Sequence, residues 1–158
     1  MQGGKENVGI YTITADDKLT TAAKIDIDNS DNSIGLFAKA AADVTNTGEI
    51  NATGKSVKAI ITQGSKIESS GTITVNGTAL SATDGSVGLA SMDGANITQT
   101  NADTSITVDG TASIGAYADG AKLTNSNLVE SKNVGLYAKS SSTVTNSGTI
   151  DIKSGNGI

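Results

Sequence analysis

One phrase recurs along this chain. Its clearest copies are Gly35-Leu36-Phe37-Ala38-Lys39 followed by Val44-Thr45-Asn46-Thr47-Gly48-Glu49-Ile50, and Gly135-Leu136-Tyr137-Ala138-Lys139 followed by Val144-Thr145-Asn146-Ser147-Gly148-Thr149-Ile150. Variants of the phrase fill the chain six times. A repeat of roughly 20–30 residues built from short apolar clusters cannot bury those clusters alone, so neighbouring copies must stack into a solenoid.

Composition narrows what such a solenoid can do. The 158 residues include no Cys, His, Trp, Pro or Arg, and all 11 basic residues are Lys. Without Cys there is no disulfide framework and no thiolate metal site. Without His as well, the common triad, dyad and zinc chemistries are excluded. A net charge of −5 argues against a nucleic-acid partner. Hydrophobic residues make up 36% and aromatics 3%, which suits columns of Val, Ile, Leu and Ala better than a globular core. No run approaches the ~18 apolar residues of a membrane span. The opening Met1-Gln2-Gly3-Gly4-Lys5 lacks the apolar core of a signal peptide. Residues 1–158 read as one segment of a longer chain, with residues 1–6 as lead-in.

Each coil divides into three strand-like pieces. The first begins at Val8, Ile34, Val57, Val87, Ile114 and Val134. The second begins at Leu19, Val44, Ile67, Ile97, Leu123 and Val144, and the third at Ile25, Ile50, Ile73, Ile106, Leu128 and Ile150. Strand side chains alternate between faces. In the first piece alternation predicts Val8/Ile10, Ile34/Leu36/Ala38, Val57/Ala59, Val87/Leu89 and Val134/Leu136/Ala138 inward. The intervening Gly9, Gly35, Lys58, Gly88, Gly115 and Gly135 are then outward. In the third piece Ile25/Ile27, Ile73/Val75, Ile106/Val108 and Ile150/Ile152 alternate with Asp26, Thr74, Thr107 and Asp151. Leu128-Val129-Glu130 breaks that alternation and leaves the direction of Glu130 open.

The second corner carries the sharpest signal. Gly48, Gly71, Asn101, Asn127 and Gly148 stand four residues after the second-strand start in five of six coils. Gly and Asn tolerate a left-handed backbone, so a tight left-handed turn is expected there. Two residues earlier stand Thr21, Asn46, Ser69, Gln99, Asn125 and Asn146. Short polar side chains stacked coil on coil can hydrogen-bond along the axis as a ladder. The expected architecture is therefore all-β: a parallel β-helix of about six coils with three short strands per coil, right-handed by the usual crossover preference. Its open ends leave unpaired edges that invite end-to-end association.

The phrases Gly-Leu-Tyr-Ala-Lys and Val-Thr-Asn-Ser-Gly-Thr-Ile resemble the passenger repeats of bacterial type V autotransporters, and look most like the very large fusobacterial-type adhesins. The resemblance covers residues 7–158. It implies export across the outer membrane, display at the cell surface, and attachment to a protein or glycan on host or bacterial cells. It carries over no catalytic residue and no cofactor, and implies no insertion of this segment into a membrane.

Four candidate sites remain. Tyr11, Phe37, Tyr117 and Tyr137 are all the aromatics of the chain and share one repeat position, filled by Ile60 and Ala90 in coils three and four. An outward aromatic row can bind a protein or glycan; the favoured reading is that the rings stack and stabilise adjacent coils. Thr20, Thr45, Thr98, Thr124 and Thr145 form an outward row interrupted by Glu68. Ice binding needs a flat pair of Thr rows, and the neighbouring row Lys18, Asp43, Lys66, Asn96, Lys122 and Thr143 is charged, so these Thr read as ordinary exposed strand residues. Asp26, Asp28 and Asp31 read as a solvated acidic loop rather than a calcium site. The insertion over residues 76–86 reads equally as a binding loop or a tolerated excursion.

The sequence thus reads as a non-enzymatic structural or adhesive segment. The competing class is a polysaccharide-active β-helix enzyme. Scattered carboxylates and absent Arg weigh against it.

Overall fold

The computed structural model describes residues 2–78, 85–101 and 103–153, and it is all-β among them. Three parallel sheets wrap one core. The first face stacks β2 (Val8–Thr12), β5 (Ile34–Lys39), β8 (Lys58–Gln63), β11 (Val87–Met92), β14 (Ile114–Asp119) and β17 (Val134–Lys139). The second stacks β3 (Lys18–Thr21), β6 (Asp43–Asn46), β9 (Lys66–Ser69), β12 (Asn96–Gln99), β15 (Lys122–Asn125) and β18 (Thr143–Asn146). The third stacks β1 (Gln2–Lys5), β4 (Ile25–Asp31), β7 (Ile50–Lys55), β10 (Ile73–Thr78), β13 (Ser105–Asp109), β16 (Leu128–Ser131) and β19 (Ile150–Ile152). Six coils of three strands form a β-solenoid. At ~4.8 Å per coil it is roughly 29 Å tall.

The core is a set of columns. Ile25, Ile50, Ile73, Ile106 and Val129 stack on the third face, and Val44, Ile67, Ile97 and Leu123 on the second. Leu36, Ile60, Leu89 and Ala116 complete it from the first. Each fully buried aliphatic side chain contributes about 1.5–3 kcal/mol. Repetition supplies the same increment at every coil.

The register corrects several expectations. In coil three the first strand begins at Lys58, which pairs with Ile34 and Val87; Val57, one position before it, is buried with Ala59 as expected. The glycine row faces inward, not outward. Gly35, Ala59, Gly88, Gly115 and Gly135 are buried, and the isoleucines of the third face pack over the glycines. Gly35 and Leu36 are two consecutive buried positions in β5, which interrupts the alternation. The preceding row, Val8, Ile34, Lys58, Val87, Ile114 and Val134, is consequently pushed toward the surface. In coil five Val129, not Leu128, enters the core, and Glu130 points outward as Asp151 does. Alternation there is regular once the register slips by one.

Residues 2–5, expected as lead-in, pair as a parallel strand with β4 through Gln2↔Asp28, Gly4↔Ser30 and Lys5↔Asp31. Within the insertion over 76–86, residues 79–84 lie outside the described residues.

Left-handed backbone is found away from Gly48, Gly71, Asn101, Asn127 and Gly148. It lies at the first corner, at Asp16, Ala40, Ala41, Gly64, Asp93, Gly94, Gly120, Ser140 and Ser141, and again near the end of the third strand. At the first corner these turns stack. The Ala41 amide donates to the Gly64 carbonyl at 3.1 Å, and the Gly94 amide to the Gly120 carbonyl at 2.9 Å. Glycine at the second corner answers a different need. A Cβ at Gly48 would overlap the Ala23 carbonyl, and one at Gly71 the Gly48 carbonyl. Coil-to-coil approach, not φ, requires the small residue.

Candidate functional site

The aromatic positions align through the ladder as Tyr11↔Phe37↔Ile61↔Ala90↔Tyr117↔Tyr137. Ile61, rather than Ile60, therefore fills the row in coil three, and Ile60 belongs to the core. The rings form two stacked pairs. Tyr11 and Phe37 lie 5.2 Å apart at 23°, and Tyr117 and Tyr137 lie 5.8 Å apart at 5°. Parallel strands set identical side chains about one strand spacing apart, which is near the separation aromatic stacking favours. The row thus stabilises neighbouring coils while leaving Tyr11 54% and Tyr137 45% exposed.

The second pair carries a polar cluster. Tyr117 donates its hydroxyl to Asp119 at 3.0 Å, and Lys139 pairs with Asp119 at 3.0 Å while standing 5.7 Å from the centre of the Tyr117 ring. Hydrogen bonds from Ser140, then Lys139, hold the Asp119 carboxyl below its ordinary range. Tyr117 first, and Asp119 with it, hold the Lys139 ammonium above its own. Both shifts favour the charged forms and leave neither group poised for proton transfer near neutral pH.

The polar ladder stands inside the second corner. Thr21, Asn46, Ser69, Gln99 and Asn125 are buried, while Asn146 at the last coil is exposed. Asn46 Nδ2 donates to Ser69 Oγ at 3.3 Å and to the Gly48 carbonyl at 3.1 Å. Asn125 Nδ2 donates to Asn146 Oδ1 at 2.8 Å and to the Asn127 carbonyl at 3.0 Å. Gln99 reaches one coil back to the Gly71 carbonyl at 3.0 Å. The ladder therefore works along the axis and around the turn at once. It joins the row that follows it, Gly48, Gly71, Asn101, Asn127 and Gly148, in which Asn127 donates to Thr104 at 2.6 Å.

The remaining candidates take structural places. Thr20, Thr45, Glu68, Thr98, Thr124 and Thr145 align on the second face, and Glu68 pairs with Lys66 at 2.8 Å across the charged neighbouring row. Asp26, Asp28 and Asp31 lie in strand β4 rather than a loop, and the next coil engages each of them. Asn51 donates to Asp26 at 3.0 Å, Thr53 to Asp28 at 3.0 Å, and the Lys55 amide to Asp31 at 3.3 Å. Among the described residues no group of three or more His, Cys, Asp or Glu is arranged to hold a metal ion. Glu130 accepts from Thr107 at 3.2 Å and pairs with Lys153 at 2.7 Å.

One surface feature escaped the sequence reading. The partly exposed row Val8, Ile34, Lys58, Val87, Ile114 and Val134 lies on the same face as the aromatic row. The signal was Lys58, whose register with Ile34 and Val87 reveals that the row is outward. No family model, curated protein or solved structure matches this chain.

Proposed function

We propose that this chain is a rigid structural segment of a surface-displayed passenger, supporting attachment of a cell to host or bacterial partners. The observation that carries the reading is the continuity of all three ladders through six coils. The apolar columns of the core run from coil to coil, and on the third face Asn51, Thr53 and Thr107 bond to carboxylates of the adjacent coil. Such a rod holds whatever it carries at a fixed distance, and its length grows linearly with coil number. The resemblance of residues 7–158 to autotransporter passenger repeats favours the same role and supplies the surface location.

The aromatic row fits this role because its rings satisfy one another. Binding of the purified chain to epithelial and bacterial cells tests it, beside a variant carrying Tyr11→Ser, Phe37→Ser, Tyr117→Ser and Tyr137→Ser that retains its β circular dichroism. A structural segment binds at background level in both forms. Saturable binding by the parent that the variant loses would make the row a receptor contact and overturn the purely structural role.

A further inference from the structure

The second corner closes by one rule in coils two, five and six. The ladder amide donates to the carbonyl two residues on: Asn46 to Gly48 at 3.1 Å, Asn125 to Asn127 at 3.0 Å and Asn146 to Gly148 at 2.8 Å. Coil three departs from that rule. Ser69 has no amide, and its hydroxyl accepts from Asn46 at 3.3 Å. The corresponding carbonyl, that of Gly71, is served by Gln99 of coil four, whose Nε2 donates at 3.0 Å from 28 residues away.

Coil four can release that amide because its own corner closes differently. The Thr104 amide and hydroxyl donate to the Asn101 carbonyl at 3.3 Å and 2.9 Å. Gln is one methylene longer than Asn, and that length carries the ladder side chain into the neighbouring coil. The two departures match: coil three lacks a donor and coil four provides one. Ser69 and Gln99 are both fully buried, where an unserved carbonyl is costly.

The exchange falls at the seam with the longest connection. From third strand to next first strand the chain uses two residues at 32–33, 56–57 and 132–133, and four at 110–113. Between coils three and four it uses residues 79–86. A longer connection holds its two ends together less tightly. The apolar columns add nothing special there, since Ile67↔Ile97 and Ile73↔Ile106 repeat the contacts of other seams. Of the other side-chain bonds described across this seam, Gln63 to Asp93 is exposed, and Asn101 to the Ser70 carbonyl spans 3.5 Å.

We propose that Gln99 clamps coil four onto coil three and so makes the six coils open as one cooperative unit. Cooperativity along a solenoid depends on the interface terms between neighbouring repeats. The clamp strengthens the interface that connectivity supports least, with a buried bond that coil three cannot supply from its own ladder residue. Without it the rod divides into coils one to three and coils four to six. The inference concerns cooperativity within the rod and is independent of what the rod carries.

Native-state hydrogen exchange on the whole chain in rising urea, read amide by amide by NMR, tests the proposal. In the parent, coils two to five should share one opening transition. The Gln99→Asn side chain is too short to reach Gly71. The amides of Val87, Asn96 and Thr100, which donate across the seam to Val57, Ser65 and Ser69, should then exchange about tenfold faster or more. The two halves should open separately. Ser69→Asn added to Gln99→Asn rebuilds the arrangement of Asn125 and Asn146, in which one amide closes its own corner and bonds to the next coil. That pair should rejoin the halves. Circular dichroism confirms that both variants are folded.

Parent halves that open separately overturn the proposal before any substitution is made. Halves that still open together in Gln99→Asn, with faster exchange confined to the corner around Gly71, reduce Gln99 to a local cap and overturn it too. So does a folded double variant whose halves stay apart.

Discussion

The Cγ2 methyl of Ile50 occupies the space that a side chain at Gly35 would need. A Cβ built on Gly35 would come within 2.7 Å of that methyl and 2.6 Å of the Ala59 carbonyl oxygen. The same relation links Gly9 with Ile25 and Gly88 with Ile106. Ala59 occupies this row in coil three, so the backbone there is open to any L-residue. Space is what excludes a side chain elsewhere. Gly35→Ala is therefore expected to destabilise the chain by about 1–3 kcal/mol through overpacking, read as a lowered urea midpoint with an unchanged slope.

Asn125 tests the ladder. It donates to Asn127 and Asn146, and accepts from the Asn127 amide at 3.3 Å. Asn125→Ala leaves the buried Asn127 backbone without these partners, so a loss of about 1–3 kcal/mol is expected in equilibrium unfolding. An unchanged midpoint would mean that the ladder adds nothing to stability.

Ala41 has a left-handed backbone, with φ of 64°, at an exposed turn. Ala41→Gly removes a Cβ penalty of about 1–2 kcal/mol, partly offset by the greater freedom of glycine in the unfolded chain. A net gain of about 0.5 kcal/mol is expected by thermal unfolding. Ala41→Val should move stability the opposite way.

Asp119 gives the chain an acid dependence. Its carboxyl is held below its ordinary value of 3.8, chiefly by the Ser140 hydrogen bond and then by Lys139. A depressed folded value means that the group's contribution is present above the unfolded value and is lost as pH falls through the folded one. Stability should therefore decline below about pH 4, and Asp119→Asn should flatten that decline. Paired pH titrations of the urea midpoint measure the difference.

The repeat made the solenoid, its coil number and its three strands readable, because inward Ile, Leu and Val recur at fixed offsets. Register was harder. Leu128 is an apolar residue one position before Val129, the one that enters the core, and a single position exchanges inside for outside; Val57 also precedes its strand but lies at the corner and is buried all the same. Glycine was ambiguous for a related reason. Gly35 and Gly48 serve close approach, while the left-handed turns belong in part to Ala40, Ala41 and Ser140, whose identities announce no such conformation. The aromatic row was legible as a row. Its division into two stacked pairs required knowing that Ile61 and Ala90 lie between them. The partly exposed row led by Val8 stayed hidden because it looked like core.

Coil stacking itself is the central claim, and distances along one outward row measure it most directly. The chain has no Cys, so spin labels can be placed cleanly at Thr20 paired with Thr98, Thr124 or Thr145, three, four and five coils away. Double electron–electron resonance should give separations near ~14, ~19 and ~24 Å before label length is added, rising by ~4.8 Å per coil. Separations that fail to rise in even steps would contradict the stacked rod and every role built on it.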